Sequence, residues 1–270
     1  RHHNPNVAGR EAAEWALKKT GVAKPELVFL FGSIGYDQHS LVRAVRETTG
    51  IAPLTGCSAE GTIDGDNADE SNFSVVVTAI SSEELRWHNG IARDLVEDDT
   101  RAVGQRVAKD LLPHLCSETI GLFVFPDGLK DFVVPTQNLV DNFFGGLEGN
   151  LPSERFLPMW GGGANTNFDN MALPSYQYCD DEVITDGVSY ALLSGKARAG
   201  WAISHACIPI GGERIVTRSE GNIIYEIDGK PAMEVFEEYL PEGTSVWLSS
   251  RDKEKVSNGF DRMASQIKDQ

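Results

Sequence analysis

The sequence has 270 residues, a mass of 29.5 kDa and a formal net charge of −16, from 24 Lys and Arg against 40 Asp and Glu. Its hydrophobic fraction of 41% is typical of a globular protein, which excludes a disordered tail or a fibrous repeat. Nucleic-acid binding requires clustered Lys and Arg opposite the phosphates, and docking on an anionic membrane also needs basic residues. The acidic balance therefore argues against both kinds of partner.

Helix and strand patterns alternate along the first part of the chain. Apolar residues recur at helical spacing in four segments, which we predict as helices: residues 7–20, 37–49, 100–115 and 133–144. Short apolar runs predict the strands, at residues 26–31, 52–55, 72–80, 85–92, 120–125 and 157–160. The strand–helix–strand order of residues 26–55 implies a parallel pair, and the polar residues 81–84 predict a hairpin. The continuous apolar run of residues 120–125 predicts a central strand.

Strand patterns dominate the rest of the chain. They cover residues 176–179, 187–193, 199–205, 214–216, 222–227 and 245–248, with helices predicted at residues 231–240 and 252–268. Few helices interrupt these strands, so we expect this part to be rich in antiparallel pairs. The sequence therefore predicts an α/β fold with mixed parallel and antiparallel sheets flanked by helices. Its two-part architecture divides into residues 1–190 and 191–270.

The cysteines and the apolar segments indicate where the protein resides. The four cysteines, Cys57, Cys116, Cys179 and Cys207, show no CxxC spacing, and a chain of this length does not need a disulfide scaffold. No apolar stretch reaches the ~18 residues of a transmembrane helix, and no secretory signal follows the first residues. We therefore expect a cytoplasmic protein without direct membrane insertion.

Polar or glycine-rich turns follow four of the predicted strands. The candidate ligand-binding residues in them are Ser33, Gly56, Cys57, Ser58, Glu60, Asp127, Gly161, Gly162 and Gly163. Because the carboxyl ends of parallel strands meet at one edge of a sheet, these turns predict a single pocket there. Backbone N–H groups of the glycine turns can hold a carboxylate or a phosphate. The alternative for each position is an ordinary turn with a structural role.

Two residues allow sharper alternatives. Cys57 would act as a nucleophile only beside a base that lowers its pKa, and no His is close to it in sequence. His205 ends a predicted strand and is either a hydrogen-bonded core residue, a ligand contact or an axial haem ligand. The sequence has neither an HExxH nor a GxSxG motif, so we expect no catalytic metal and no hydrolase elbow. We assign no catalytic residue.

Several of these blocks, in this order, resemble the FIST family, a sensory module with an N-terminal and a C-terminal part. The resembling blocks are residues 31–33, 54–63, 127–128, 161–164, 205–211, 216–217 and 226–232. The resemblance spans about residues 7–240 and departs from the family pattern at Ala206, where glycine is usual. The family has a longer segment after the helix that ends at Leu240. Residues are therefore expected to be missing between Leu240 and Pro241 and beyond Gln270, unless the junction is a genuine deletion.

The resemblance implies a signal-input domain that binds a small ligand, with amino acids or similar anionic metabolites as candidates. Such domains occur alone or linked to output proteins such as histidine kinases, chemotaxis receptors and cyclic-dinucleotide enzymes. We therefore expect a sensory module that is not an enzyme and holds no cofactor. The alternatives are a nitric-oxide sensor with non-covalent haem on His205, an enzyme that depends on Cys57, and a module for protein interaction only.

Overall fold

Helices and strands alternate along the described part of the chain. The computed structural model describes residues 2–21, 24–65, 67–95, 99–128, 139–154, 156–166, 174–202, 211–220 and 223–239. The helices are α1 (Pro5–Thr20), α2 (Gln38–Thr49), α3 (Thr100–Leu111), α4 (Leu139–Glu148) and α5 (Ala232–Glu237). The strands are β1 (Leu27–Ser33), β2 (Leu54–Ala59), β3 (Thr62–Asp64), β4 (Asn67–Asp69), β5 (Val75–Ile80), β6 (Leu85–Arg93), β7 (Thr119–Pro126), β8 (Met159–Gly161), β9 (Gln177–Cys179), β10 (Glu182–Ile184), β11 (Gly187–Gly195), β12 (Val216–Glu220), β13 (Ile223–Ile227) and β14 (Lys230–Pro231).

The helix ends follow from residues with capping chemistry. The Asn4 side chain accepts hydrogen bonds from the first backbone N–H groups of α1, and Gly21 ends that helix with a left-handed φ of 67°. The helix predicted for residues 100–115 ends earlier, at Leu111, and a short 3₁₀ turn follows. Pro113 lies in this turn and has no backbone N–H, so it cannot continue the α-helical hydrogen bonds.

The strands form two main mixed sheets. The first has the order β10-β9-β2-β1-β5, in which β1 and β2 are parallel and β5 is antiparallel to β1. The second has the order β6-β11-β7-β8, in which β7 and β8 are parallel and β11 is antiparallel to β7. β7 therefore lies inside its sheet, as its apolar run predicted. The predicted α/β class with mixed sheets is confirmed.

The two sheets pack face to face, with helices on both outer faces. Phe29 and Phe123 meet between the sheets with ring centroids 4.8 Å apart, and Phe31 and Phe125 meet at 5.4 Å. Successive side chains of a strand point to opposite faces, so the neighbouring Leu30 points away from this interface. On that outer face α1 and α2 share one apolar cluster with the first sheet, and α3 and α4 share another with the second sheet. The result is four layers stabilised mainly by burial of apolar side chains.

The two sheets repeat one arrangement. A parallel pair is flanked by an antiparallel strand in both, as β2-β1-β5 and as β8-β7-β11. Gly56 pairs with Leu30 in the first sheet, and Gly161 pairs with Val124 in the second. Their φ angles are 148° and 151°, and a β carbon on either would lie 1.9 or 1.8 Å from the partner's carbonyl oxygen. Only glycine fits these two equivalent positions.

The first helix of each half repeats a close contact as well. Gly9 in α1 faces the backbone of α2, and a β carbon there would lie 2.9 Å from Leu41 O. Gly104 in α3 faces α4 in the same way, and a β carbon would lie 2.1 Å from Phe143 O. Within each pair, α1 with α2 and α3 with α4, the two helices therefore come into close contact at a glycine.

The predicted hairpin of residues 72–80 and 85–92 is wrong. β5 pairs with β1 in the first sheet, whereas β6 pairs with β11 in the second, so residues 81–84 carry the chain from one sheet to the other. Apolar alternation identifies a strand but not its partner. The strand predicted at residues 176–179 corresponds to β9, but its hairpin with β10 was not predicted. The β3–β4 hairpin was not predicted either, because three-residue strands are too short to show a period.

Other predicted segments fall partly or wholly outside the described residues. The helix predicted at residues 133–144 corresponds to α4, which continues to Glu148, and its predicted start lies outside the described residues. Residues 199–202 form no strand, and the rest of the strand predicted to end at His205 lies outside. The predictions for residues 245–248 and 252–268 also lie outside.

Contacts within the chain divide it into two compact units. The first contains the described residues up to Ala197, and the second contains those from Arg198 onward. β11 belongs to the first unit and crosses the boundary predicted at residues 190 and 191. In the second unit β12, β13 and β14 form an antiparallel sheet, and α5 buries Ala232 and Val235 beside Ile227. Within the described ranges, every helix is too short or too polar to cross a bilayer.

Candidate functional site

The ends of β1, β2, β7 and β8 meet at one edge of the four-layer unit. In the first sheet Ser33 pairs with Ala59, and in the second sheet Asp127 pairs with Ala164 by a parallel bridge just beyond β8. The two ends are joined because Asn165 N donates a hydrogen bond of 3.0 Å to Ser58 O. The structure therefore brings together the four turns that the sequence predicted to converge.

Ser33 ties the end of β1 to the residue before β5. Its hydroxyl is buried, donates to Ser74 O at 3.2 Å and accepts from Ser74 N at 2.8 Å. The Ser33 carbonyl accepts a further hydrogen bond from Gln38 Nε2 at 3.1 Å. These contacts give Ser33 a structural role at this edge.

Ser58 joins the two sheets. It is fully buried, and its hydroxyl donates to Asn165 O at 2.6 Å and accepts from Tyr176 N at 2.8 Å. Both hydroxyl contacts go to backbone groups from other parts of the fold. Ser58 thus fixes the edge in place and has little capacity left for a ligand.

Cys57 and Glu60, which lie before and after Ser58 in the sequence, differ in burial. Cys57 is 5% exposed and packs against Phe125 and Ala164 between the sheets. Burial raises the pKa of the Cys57 thiol to about 12, so it carries a proton near neutral pH. Glu60 follows the end of β2 and is half-buried. A protonated, enclosed thiol is a poor nucleophile.

Thiol labelling checks this difference among the described cysteines. Cys116 is exposed, and a hydrogen bond from the Glu118 backbone lowers its pKa, whereas Cys57 and Cys179 are buried. In a Cys207→Ser background, we expect a disulfide reagent near neutral pH to label Cys116 rapidly. Cys57 and Cys179 should react only after denaturation. Labelling of native Cys57 as fast as Cys116 would contradict its burial.

Asp127 places a carboxylate at the end of β7, next to the interface of the sheets. The residue is 2% exposed, and its Oδ2 accepts a hydrogen bond of 3.2 Å from Asp186 N. Its own backbone N donates to Gly187 O at 2.9 Å. These contacts to the turn before β11 hold the Asp127 carboxyl group at the edge.

Gly161, Gly162 and Gly163 are the exposed part of the edge. Ala164 N donates to Pro126 O at 2.7 Å, towards β7. Neighbouring N–H groups of an extended chain point to opposite sides, so those of Gly161 and Gly163 point away from β7. β8 ends the order of its sheet in the described part of the chain, which leaves this side without a strand there.

In the first half of the repeat, the equivalent backbone N–H group has a hydrogen-bond partner within the protein. Ser58 stands where Gly163 stands in the second half, and its N–H donates to Tyr176 O at 2.8 Å. In the first half, the Tyr176 carbonyl oxygen therefore accepts the hydrogen bond from the Ser58 N–H group. Close to the second position, Thr166 is fully buried, and its hydroxyl has no hydrogen-bond partner among the described residues.

Sequence reasoning missed the residues that hold the edge together. Asn165 and Tyr176 act through backbone contacts with Ser58, and no motif marks them. The glycine run before Asn165 was the only available signal. His205 lies outside the described residues. In the ranges that are described, no group of His, Cys, Asp and Glu has the geometry to hold a metal ion.

Comparisons with known proteins give one family and several distant relatives. The family model described as FIST N domain matches residues 26–230. An uncharacterized protein of Methanocaldococcus jannaschii is 26% identical over 254 residues, which cover 90% of this chain and 46% of the relative.

Two mycobacterial relatives match at the same level. An uncharacterized protein of Mycobacterium tuberculosis is 26% identical over 260 residues, which cover 94% of this chain and 60% of the relative. An uncharacterized protein of Mycobacterium bovis is 26% identical over 265 residues, covering 94% and 59%. The chain thus spans between about half and three fifths of the length of these curated relatives.

Proposed function

We propose a specific sensory role from one premise: the chain belongs to the FIST family, whose model matches residues 26–230. The members of this family are generally sensory, ligand-binding domains that serve as signalling inputs. In our proposal this chain binds a free amino acid at the edge where β1, β2, β7 and β8 end. The observation that carries the proposal is the exposed run of Gly161, Gly162 and Gly163 at that edge, beside the buried Asp127.

The chemistry of the edge favours a ligand that carries both charges. The N–H group of Gly163 can donate to an oxygen of a ligand carboxylate, as the equivalent Ser58 N–H donates to the Tyr176 carbonyl, and the N–H group of Gly161 points to the same side. Asp127 would repel a purely anionic ligand but attract an ammonium group. An amino acid satisfies both of these contacts, whereas a simple anion satisfies only the first.

The proposed role is binding without catalysis. The cysteine at the edge, Cys57, is buried, and burial raises the pKa of its thiol to about 12, which makes it a poor nucleophile. Ligand binding transmits a signal only through a difference in affinity between two states of the protein. We propose that the amino acid favours one state, and that a linked output protein such as a histidine kinase or a cyclic-dinucleotide enzyme responds to it.

Calorimetry on the whole chain tests the proposal. The common amino acids are first screened by thermal shift, and those that raise the melting temperature are titrated. We expect Gly162→Leu to weaken their binding at least about tenfold, since the leucine side chain would occupy the ligand space. A β carbon at this position meets no atom within 4 Å, so the variant should fold normally.

Ser117→Leu is the matched control. Ser117 is exposed and precedes β7, at the end of the sheet opposite to Gly162. The Ser117→Leu substitution adds the same side chain as Gly162→Leu and should leave the affinity for amino acids unchanged. A chain that binds no amino acid, or a Gly162→Leu variant that binds as tightly as the parent, would overturn the proposal.

A further inference from the structure

A cavity on the first unit adjoins the end of β1, because Ser74, which holds the Ser33 hydroxyl, is one of its lining residues. It has a volume of about 300 Å³ and is enclosed by α1, the β3–β4 hairpin and β5. This volume is at the lower end of the range for small-molecule pockets, about 300–1,000 Å³. No sequence pattern indicated this cavity, because the β3–β4 hairpin that forms one wall was not predicted.

The β3–β4 hairpin presents its polar face to this cavity. Thr62 and Asp64 of β3, with Asn67 and Asp69 of β4, all line it. Ile63 lies between Thr62 and Asp64, points to the opposite face and is 47% exposed. A hairpin that packed only against the protein would turn the isoleucine inward and the carboxylates outward. Its orientation therefore suits a polar occupant of the cavity.

The lining is strongly acidic. Glu11 of α1 joins Asp64 and Asp69, while His2 is the only basic side chain among the described residues that line the cavity. Asp69 lies close enough to Tyr36 that its charge, together with burial, raises the pKa of the Tyr36 hydroxyl. Glu11 and Asp64 are exposed and Asp69 is half-buried, so together they give the open side of the cavity a negative potential that attracts a cationic ligand.

Aromatic and aliphatic groups complete the wall. Tyr36 and Phe73 meet edge to face with ring centroids 5.5 Å apart, and both line the cavity. Trp15 stands at the rim with 69% of its surface exposed, and Lys18 Nζ lies 5.7 Å from its ring centroid. Lys18 thus lies over one face of the ring, and the exposed remainder of the ring is available to a ligand. Ala8, Ala12, Val75 and Val76 supply the apolar surface.

We propose that this cavity binds a linear polyamine. The methylene segments would lie against the alanine, valine and aromatic surface, and the ammonium groups would pair with Glu11, Asp64 and Asp69. A bare divalent cation fits less well, because it gains nothing from the apolar wall and prefers a compact set of oxygen ligands. The residues that line this site do not include Asp127, Gly161 or Gly163, on which the proposed amino-acid site rests.

Titration of the whole chain with spermidine tests the assignment. We expect one site per chain, with a change of tryptophan emission that is lost in Trp15→Phe. Glu11→Gln and Asp64→Asn should each weaken binding about fivefold, and the double variant should weaken it more. Neither carboxylate makes a hydrogen bond or ion pair to a described residue that folding would require, so both variants should remain folded.

Glu14→Gln is the control for general electrostatic attraction to a chain of charge −16. Glu14 is exposed on the same helix as Glu11 but does not line the cavity, so its loss should leave spermidine affinity unchanged. Equal weakening by Glu14→Gln and Glu11→Gln would overturn the proposal. So would the absence of spermidine binding, or equal competition by magnesium at the same concentration of charge. Amino-acid binding should be unaffected by Glu11→Gln, which separates the two sites.

Discussion

Substitution of Gly161 by alanine should lower the free energy of unfolding of the first unit by about 3 kcal/mol or more. Two effects add up: the φ of 151° is unfavourable for a residue with a β carbon, and that carbon would lie 1.8 Å from Val124 O. Because β8 pairs only with β7 in the described sheet, the strand has to move away. Gly56→Ala should have a similar effect through Leu30 O, at 1.9 Å.

Gly162→Ala is the matched control for this prediction. It adds the same methyl group one residue later, where no atom lies within 4 Å, and should change stability by less than about 0.5 kcal/mol. Urea unfolding followed by circular dichroism measures the three variants. If Gly161→Ala is as stable as Gly162→Ala, the close approach of β8 to β7 is wrong.

The second large effect is expected for Ser58→Ala. The substitution leaves Asn165 O and Tyr176 N buried without their hydrogen-bond partner, which should cost about 2–4 kcal/mol. The loss would fall on the contact that joins the two sheets. Amino-acid binding should weaken in parallel, because Asn165 follows the glycine run directly.

Thr55→Val provides the opposite sign on the same strand. The Thr55 hydroxyl is buried between the sheets and has no hydrogen-bond partner among the described residues. Removing it should raise stability by about 1 kcal/mol, since valine has nearly the same shape and needs no partner. Urea unfolding again measures both variants. A Ser58→Ala protein as stable as the parent would contradict the role of Ser58 as the link between the sheets.

The local elements of the fold could be predicted from the sequence, but their pairing could not. The apolar runs around Leu30 and Val124 locate β1 and β7, because buried strands need continuous apolar residues. Nothing in the runs at residues 72–80 and 85–92 shows that their strands enter different sheets. The pairing of these strands depends on the packing of the two sheets, in which β5 joins β1 and β6 joins β11. The structural repeat could not be predicted from the sequence either, because it rests on the backbone geometry at Gly56 and Gly161.

The candidate site was predictable in position but not in detail. Strand-end logic brings Ser33, Ser58, Asp127 and the glycine run to one edge. It cannot show that both serine hydroxyls are taken up by backbone groups of the protein, because Ser74, Asn165 and Tyr176 reach them from distant parts of the chain. The glycines therefore carry more of the proposed binding than the sequence suggested.

The most direct measurement is a ¹H–¹⁵N spectrum of the chain during titration with the amino acid that gives the largest thermal shift. We expect the amide signals of Gly161 and Gly163 to shift as ligand is added, together with the signals of residues next to Asp127. Signals from the β3–β4 hairpin should stay in place. Binding that leaves both glycine amides unchanged while other regions shift would contradict the assignment of the ligand to the strand ends.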